Sequence, residues 1–345
     1  MTPSKQRPRL RPTLITVPVE IQIAIFFHTT ESSFALLLTH TALYQAAIRT
    51  LYHSPFLDST SFPQFANRLT RANGRLVRDL DLSAVIHTSK PSALARVLHR
   101  CSPSIRYFAA CQAAFPFLPI RILESCLHLV ELDLSQICSV VDLPQLCDSI
   151  SALPHLEYIS FPRCSIVCDK PPRWPPKLES LSLAGGISDA FILNTDFPRL
   201  RYFAIQHAPN MTEFGLTTML SRHGQSIVSL KILYPLPRFS PTALDDILPL
   251  VPNLVTFRFS VDYASRELFR HGCLLKKITF DSSGSMGTSR KIYPDDIALA
   301  MRQPDGFTTL KYVSVHARLG WTKADAHKVA ELCRERDGEL RLLNR

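Results

Sequence analysis

Glycine is scarce in this sequence, and its few glycines form none of the loops that hold nucleotides. There are 11 glycines among 345 residues, whereas globular proteins average about 7%. The glycine-bearing segment 284–290 lacks the Gly-Lys-Ser/Thr ending of a phosphate-binding loop. The composition therefore argues against folds built around glycine-rich phosphate sites.

Catalytic and metal-binding motifs are also missing. The sequence contains neither a G-x-S-x-G nucleophile elbow nor an H-E-x-x-H pair. Cys164 and Cys168 are separated by three residues, and no second cysteine or histidine pair follows at zinc spacing. We therefore expect no catalytic residue, no bound metal and no cofactor, and we do not interpret the chain as an enzyme.

Long apolar runs and a secretion signal are absent as well. No stretch reaches the 18 or so apolar residues of a membrane span. Pro3, Pro8 and Pro12 stand where a signal peptide needs its apolar segment. The nine cysteines are odd in number and show no regular pairing, which favours reduced thiols. We expect a cytoplasmic or nuclear protein without a membrane partner.

Charge is plentiful but mixed in sign. Basic residues outnumber acidic ones, 39 to 29, giving a net charge of +10. Part of this excess lies in residues 1–13, which we expect to form a disordered basic leader. Acidic residues are interspersed through the rest of the chain, whereas nucleic-acid binding favours one continuous basic stripe. We therefore do not expect nucleic acid as a partner.

Leucine is abundant, at 48 residues, and recurs with a fixed spacing. Three apolar residues arranged as L-x-x-L-x-L occur ten times, and a truncated eleventh copy begins at Leu340. Successive copies start 21 to 35 residues apart, with a mean of about 26. The ten copies are Val77/Leu80/Leu82, Ile105/Phe108/Ala110, Leu129/Leu132/Leu134, Leu156/Ile159/Phe161, Leu178/Leu181/Leu183, Leu200/Phe203/Ile205, Ile227/Leu230/Ile232, Leu254/Phe257/Phe259, Leu275/Ile278/Phe280 and Leu310/Val313/Val315.

Each copy predicts one short strand followed by a helix. The last two apolar residues are two positions apart and therefore share one face of a strand. One repeat cannot bury that face alone, so the copies must stack with their strands parallel. Apolar residues at i, i+3 and i+4 between the copies predict helices over Ser92–Arg100, Leu143–Leu153, Ala243–Leu250, Asp295–Arg302 and Lys323–Arg336.

Residues 72–345 resemble the leucine-rich-repeat superfamily, whose period is 20–29 residues. The resemblance implies an α/β fold, a leucine-rich-repeat solenoid of about ten repeats in which a curved parallel sheet carries helices on its outer side.

Residues 14–57 have no repeat phase and predict three short helices. Pro18 opens the first, and the others cover Ser32–Thr39 and Thr41–Leu51. The segments 17–26, 35–43 and 49–54 resemble an F-box, and an F-box followed by leucine-rich repeats is most similar to fungal proteins of that family. The expected domains are the leader 1–13, an F-box-like module 14–57, a linker 58–71 and the solenoid 72–345.

This resemblance implies a substrate-recognition subunit of an SCF-type cullin–RING ubiquitin ligase, with the F-box bound to the Skp adaptor and the repeats bound to an unidentified target protein. One alternative is a protein-binding repeat scaffold outside ubiquitination, with residues 14–57 as a cap. Another is a GTPase-activating enzyme on repeats, for which no motif is present. By resemblance, the adaptor contact would involve Val17, Pro18, Ile21, Ile25, Leu37, Leu38 and Leu43.

Candidate substrate contacts lie between the apolar positions, on the expected concave face. Four of the nine tyrosines precede the second apolar residue of a repeat, and tyrosine suits a protein interface. Charges also separate, with acids in early repeats and bases in late ones. Lateral packing between strands and scattered solvated charges are the alternatives. The candidates are Tyr107, Tyr158, Tyr202, Tyr312, Asp81, Asp133, Lys231, Arg258 and Lys277.

Overall fold

A parallel sheet of eleven strands runs through the computed structural model, and each strand pairs with the next one in the sequence. The strands β1 to β11 are Asp79–Asp81, Tyr107–Ala109, Glu131–Asp133, Tyr158–Ser160, Ser180–Leu183, Tyr202–Ile205, Ser229–Ile232, Thr256–Ser260, Lys277–Asp281, Tyr312–His316 and Glu339–Leu343. The structure describes Pro18, Ile21 and residues 41–86, 91–112, 117–169, 172–197, 199–284, 292–304, 306–322 and 324–343.

Helices or turns connect consecutive strands. The α-helices α1 to α10 in this part of the chain are Thr41–His53, Phe62–Arg68, Arg71–Gly74, Pro91–Cys101, Phe117–Leu123, Leu143–Ser151, Asp189–Leu193, Glu213–His223, Pro294–Arg302 and His327–Glu335. Short 3₁₀ helices cover Gly224–Ser226, Leu248–Leu250, Val261–Tyr263, Arg266–Arg270 and Ala317–Leu319. No helix of the described ranges is both long and apolar enough to cross a bilayer.

The core lies between the sheet and the helices. The second apolar residue of each repeat pairs with its counterpart in the next strand, as Leu80 does with Phe108 and Phe108 does with Leu132. These side chains are fully buried, and burying one such side chain contributes about 1.5–3 kcal/mol. The predicted α/β leucine-rich-repeat solenoid is confirmed, and the truncated copy at Leu340 forms β11.

Four of the five predicted inter-repeat helices are present, with bounds shifted by a few residues, but the helix predicted over Ala243–Leu250 is wrong. Its residues form turns that end in a 3₁₀ helix at Leu248–Leu250. The Leu244 N–H donates to the Tyr263 carbonyl of the next repeat at 3.0 Å. Pro249 has no N–H to donate within a helix. The backbone of 243–250 therefore makes one hydrogen bond to the next repeat. Its local hydrogen bonds run from residue i to residue i−3, as in turns and 3₁₀ helices.

The segment 58–71, expected to be a linker, packs into the solenoid instead. It contains α2, and Phe62, Ala66 and Leu69 are buried in the same apolar core as the repeats. The Arg100 guanidinium of α4 donates to the Leu69 carbonyl. Burial of three apolar side chains in the common core fixes this segment against the repeats, so it does not act as a spacer.

The predicted helix Thr41–Leu51 is present as α1, and it is joined closely to the first strand. Its last residue, His53, accepts the Arg78 N–H on its carbonyl at 2.9 Å, and its ring lies 3.7 Å from the Asp79 carboxylate. The leader 1–13 and the predicted helix Ser32–Thr39 lie outside the described residues.

Acidic side chains link neighbouring repeats on the helical side of the solenoid. Asp189, the first residue of α7, accepts the N–H and hydroxyl of Thr212, the N-cap of α8, at 2.8 and 2.6 Å. The same arrangement joins Glu213 to Ser240 and Asp245 to Ser265. We call these three pairs the acid–cap links. In each link the carboxylate accepts the backbone N–H and the hydroxyl of the serine or threonine. Thr212 and Ser265 are N-caps, so two of the links satisfy N–H groups at helix starts.

Candidate protein-binding surface

The side chains that point away from the core form two rows across the strands, which we call the open face. Alternation along each strand places them opposite the buried residues. The first row is Asp79, Tyr107, Glu131, Tyr158, Ser180, Tyr202, Ser229, Thr256, Lys277, Tyr312 and Glu339; the second is Asp81, Ala109, Asp133, Ser160, Ser182, Ala204, Lys231, Arg258, Thr279, Ser314 and Arg341.

All four candidate tyrosines lie in the first row. Tyr107, Tyr158 and Tyr202 occupy every second strand, with Glu131 and Ser180 between them. Neighbouring strands are about 4.8 Å apart, so these tyrosines are spaced by roughly 10 Å. Each tyrosine therefore has a carboxylate or a hydroxyl side chain, and not another ring, as a direct neighbour in its row.

Acidic groups surround Tyr107 at the N-terminal end of the open face. Partial burial raises the pKa of Tyr107 to about 12, and the negative charges of Asp81, Asp133, Glu131 and Asp79 add to that rise. Burial and the neighbouring Asp133 likewise raise the pKa of Glu131. Across β1 to β6 the two rows together contain four carboxylates and no basic residue. This end of the open face is therefore negative.

Two of these carboxylates also hold turns. Asp81 accepts the Ser83 N–H and Asp133 accepts the Ser135 N–H, both at 2.8 Å. Glu131 has no such turn contact, and among the described residues no basic side chain pairs with it. Glu131 is therefore the carboxylate of this group whose charge is least compensated.

The C-terminal end of the open face carries the predicted basic residues. Lys231 is partly buried, and burial together with neighbouring Arg258 lowers its pKa while Asp281 opposes that fall. Lys277 is exposed in the first row. Arg258 is not a free charge, because its Nε and Nη2 lie 2.7 and 2.6 Å from Oδ2 of Asp281. Asp281, which sequence reasoning missed, reduces the positive charge expected there.

Exposed aliphatic side chains lie in the loops that follow two strands of the acidic end. Val140 is seven residues beyond the end of β3, and Ile166 and Val167 are six and seven residues beyond the end of β4. The two loops touch, since the Ile166 N–H donates to the Val141 carbonyl at 3.0 Å. These residues were missed because irregular loops carry no periodic signal, although exposed apolar groups of this kind often mark interaction sites.

The cysteines and other potential metal ligands do not gather into a site. Within the described ranges, no group of three or more histidine, cysteine, aspartate or glutamate side chains is placed to hold a metal ion. The cysteines are free thiols. Burial raises the pKa of Cys101 and of Cys126 to about 12, so both are protonated at neutral pH and poorly nucleophilic.

Of the residues expected to contact an adaptor, Pro18 and Ile21 are described and both are exposed. The Ile21 N–H donates to the Pro18 carbonyl at 3.0 Å, and the Ile21 side chain is 52% accessible. Leu43 lies in α1, in a stretch whose side chain is not described. The remaining candidates, Val17, Ile25, Leu37 and Leu38, lie outside the described residues.

Comparison with known proteins identifies relatives along nearly the whole chain. No protein-family model matches the sequence. The chain is 31% identical over 334 residues to the F-box protein YDR306C of Saccharomyces cerevisiae, covering 91% of this chain and 69% of the relative. It is 29% identical to protein pof5 of Schizosaccharomyces pombe over 308 residues, covering 86% and 88% of the two chains.

The solved structures found by comparing backbone coordinates are more distant in sequence. A chain of the crystal structure of the yeast Rad7 and Elc1 complex has a TM-score of 0.39 and 13% identity, over 86% of this chain and 81% of its own length. The leucine-rich-repeat protein LegL7 of Legionella pneumophila has a TM-score of 0.41 and 12% identity, over 81% and 85%. Because 91% of this chain aligns with the F-box protein YDR306C at 31% identity, the chain belongs to the F-box protein family.

Proposed function

We propose that this protein is the substrate-binding subunit of an SCF-type cullin–RING ubiquitin ligase. Residues 14–57 bind the Skp adaptor, and the open face binds the protein to be modified. The observation that carries this proposal is the similarity to an F-box protein over 91% of the chain. In this role the chain contributes binding surfaces, while partner subunits supply the chemistry of ubiquitin transfer.

The position of the F-box-like residues supports this division of roles. Pro18 and Ile21 are exposed, so an apolar partner can reach them without unfolding the solenoid. The end of α1 is bonded to the first repeat through the His53 carbonyl and the Arg78 N–H. An adaptor bound to residues 14–57 would therefore be held beside β1, at the acidic end of the open face.

The experiment is adaptor capture by the full chain. We expect the wild type to bind purified Skp adaptor and the Pro18→Ala/Ile21→Ala variant to bind at least about tenfold more weakly, because apolar anchors dominate small interfaces. Binding would be measured by titration calorimetry. A matched control, Leu274→Ala/Leu299→Ala, removes two exposed aliphatic side chains in the C-terminal repeats and is expected to bind like the wild type.

Circular dichroism establishes that all three proteins are folded before binding is compared. If the folded wild type does not bind the adaptor, the ligase proposal is wrong. The chain would then act as a repeat scaffold outside ubiquitination, with residues 14–57 as its cap. Equal loss of binding in the control would instead place the adaptor contact away from Pro18 and Ile21.

A further inference from the structure

Tyrosine and carboxylate side chains alternate on β2, β3 and β4, and they form a surface site that favours a positively charged group. Glu131 lies between Tyr107 and Tyr158 in the first row of the open face. Asp133 is in the second row of the same strand as Glu131. We call these four residues the acidic–aromatic cleft. A tyrosine on either side of Glu131 and a second carboxylate in the adjoining row bring aromatic rings and negative charge together on one surface.

The charges of this cleft are not neutralised from within the described chain. Glu131 reaches solvent and has no basic partner in this part of the chain, and partial burial together with the negative charge of Asp133 raises its pKa. Four carboxylates lie close enough to Tyr107 to raise its pKa in addition to burial, and the neutral ring can face a cation. A protein of net charge +10 thus keeps a local negative surface on its open face.

We propose that the acidic–aromatic cleft binds a lysine or arginine side chain in an extended segment of the substrate. This inference rests on the proposed function and names the chemistry of its substrate. A cation above Glu131 would form an ion pair with the carboxylate and lie against both tyrosine rings, and a cation within about 6 Å of a ring centre is attracted by it. Charge complementarity therefore selects a basic segment over a neutral or acidic one.

The neighbouring loops refine the partner's chemistry. Val140 and Ile166 are exposed in the loops that continue from β3 and β4, the strands of Glu131 and Tyr158. The two repeats that carry the cleft therefore also offer exposed apolar side chains. A segment with an aliphatic residue beyond its basic residue would cover these side chains while its cation occupies the cleft.

The test measures binding of a labelled lysine-containing peptide to the full chain by fluorescence anisotropy. A matched peptide carries glutamine in place of each lysine, and another carries glutamate. We expect the lysine peptide to bind, the other two not to bind, and the affinity to fall as salt rises, since salt screens exposed charges.

Variants locate the binding site. Glu131→Gln, which keeps the shape of the side chain, is expected to weaken lysine-peptide binding about tenfold, the loss of one effective charge pair. Tyr158→Ala is expected to weaken it as well. Glu335→Gln, on the exposed side of α10, is the matched control for Glu131→Gln. Phe214→Ala, which removes an exposed aromatic ring of α8 outside the open face, is the control for Tyr158→Ala. Both controls should bind like the wild type.

Three outcomes overturn the inference. One is unchanged binding by Glu131→Gln, and another is equal binding of the lysine and glutamine peptides. The third is binding that appears only when residues 1–13 are deleted, because the basic leader would then be the occupant. Adaptor capture is measured in parallel on Glu131→Gln, and we expect it to be unchanged. Loss of peptide binding with intact adaptor binding thus separates this inference from the proposed function.

Discussion

Buried polar side chains are few in this core, and Asp262 is the most constrained of them. It lies in the 3₁₀ helix Val261–Tyr263 that follows β8, and it is 2% accessible. It accepts hydrogen bonds from the Ser260 hydroxyl and from the Ser283 N–H and hydroxyl. Burial acts to raise its pKa, but the hydrogen bonds outweigh burial, and the pKa is lowered overall. The folded state therefore favours the ionised carboxylate.

This residue makes stability depend on pH. A carboxyl group with a lowered pKa in the folded state stabilises the fold above its unfolded pKa of about 3.9 and loses that effect as the pH falls through the folded pKa. We expect Asp262→Asn to reduce the free energy of unfolding by about 2 kcal/mol at neutral pH. Urea denaturation would show the gap between wild type and variant narrowing below about pH 4.

Asp246→Asn is the matched control for that measurement. Asp246 is exposed one position away from buried Asp245, and surface substitutions of this kind usually change stability by less than about 0.5 kcal/mol. If Asp262→Asn were as stable as Asp246→Asn at neutral pH, the hydrogen bonds to Ser260 and Ser283 would not contribute to folding as argued.

Helix starts in the middle of the solenoid depend on the repeat before them. Each acid–cap link joins an acidic residue near the start of one inter-repeat segment to the serine or threonine that begins the next. The Thr212 hydroxyl donates to Asp189 and also accepts the Gly215 N–H of α8. One side chain thus caps its own helix and fixes the position of its neighbour.

Removing that side chain should affect both helices. We expect Thr212→Ala to lower the free energy of unfolding by about 1–2 kcal/mol, the usual loss for an N-cap. Thr218→Ala, inside α8, is the control and should cost little because alanine is the best helix former. A double-mutant cycle with Asp189→Ala, read by urea denaturation, should give a coupling energy of at least about 0.5 kcal/mol. Strictly additive effects would contradict the link.

The whole molecule is a stack in which each repeat is stabilised by its two neighbours. β11 is the last strand of the described sheet and pairs on one side only, with β10. Its Leu340 and Leu342 are only partly buried, whereas Phe203 and Leu230 in the middle of the sheet are buried almost completely. Stability should therefore decrease toward this end of the stack.

Hydrogen exchange measures this gradient. We expect amide protons of β11 to exchange through local opening, at least about tenfold faster than those of β6 to β8, which exchange through larger unfolding events. Leu340→Ala should accelerate exchange in β10 and β11 while leaving β6 unchanged. Uniform protection along the sheet would show that the solenoid opens as one cooperative unit, contrary to this expectation.

The sequence predicts the strands well because their signal is local. An L-x-x-L-x-L copy contains its own periodicity, so the positions of Leu132, Leu230 and Val313 in the core follow from spacing alone. The acid–cap links and the Arg258–Asp281 pair join residues 20 or more positions apart. No local period marks such pairs, and they become visible only once the register between neighbouring strands is known.

The same distinction applies to the candidate surface. Spacing alone placed Tyr107, Tyr158 and Tyr202 in one row, and the register supports that placement. Sequence spacing does not identify Glu131 as the uncompensated carboxylate between two rings, because that property depends on which basic side chains lie near it in space. The failed helix at Ala243–Leu250 has a similar origin, since the Leu244 N–H bonds to the following repeat.

The distance between successive tyrosines on every second strand determines which repeat distance in a bound peptide would match them. Two strand separations amount to roughly 10 Å, close to the length of one turn of a polyproline II helix, which has three residues at about 3.1 Å each. A ligand in that conformation presents the same edge to successive rings. Residues at every third position, and not at every second, would then meet Tyr107, Tyr158 and Tyr202 in turn.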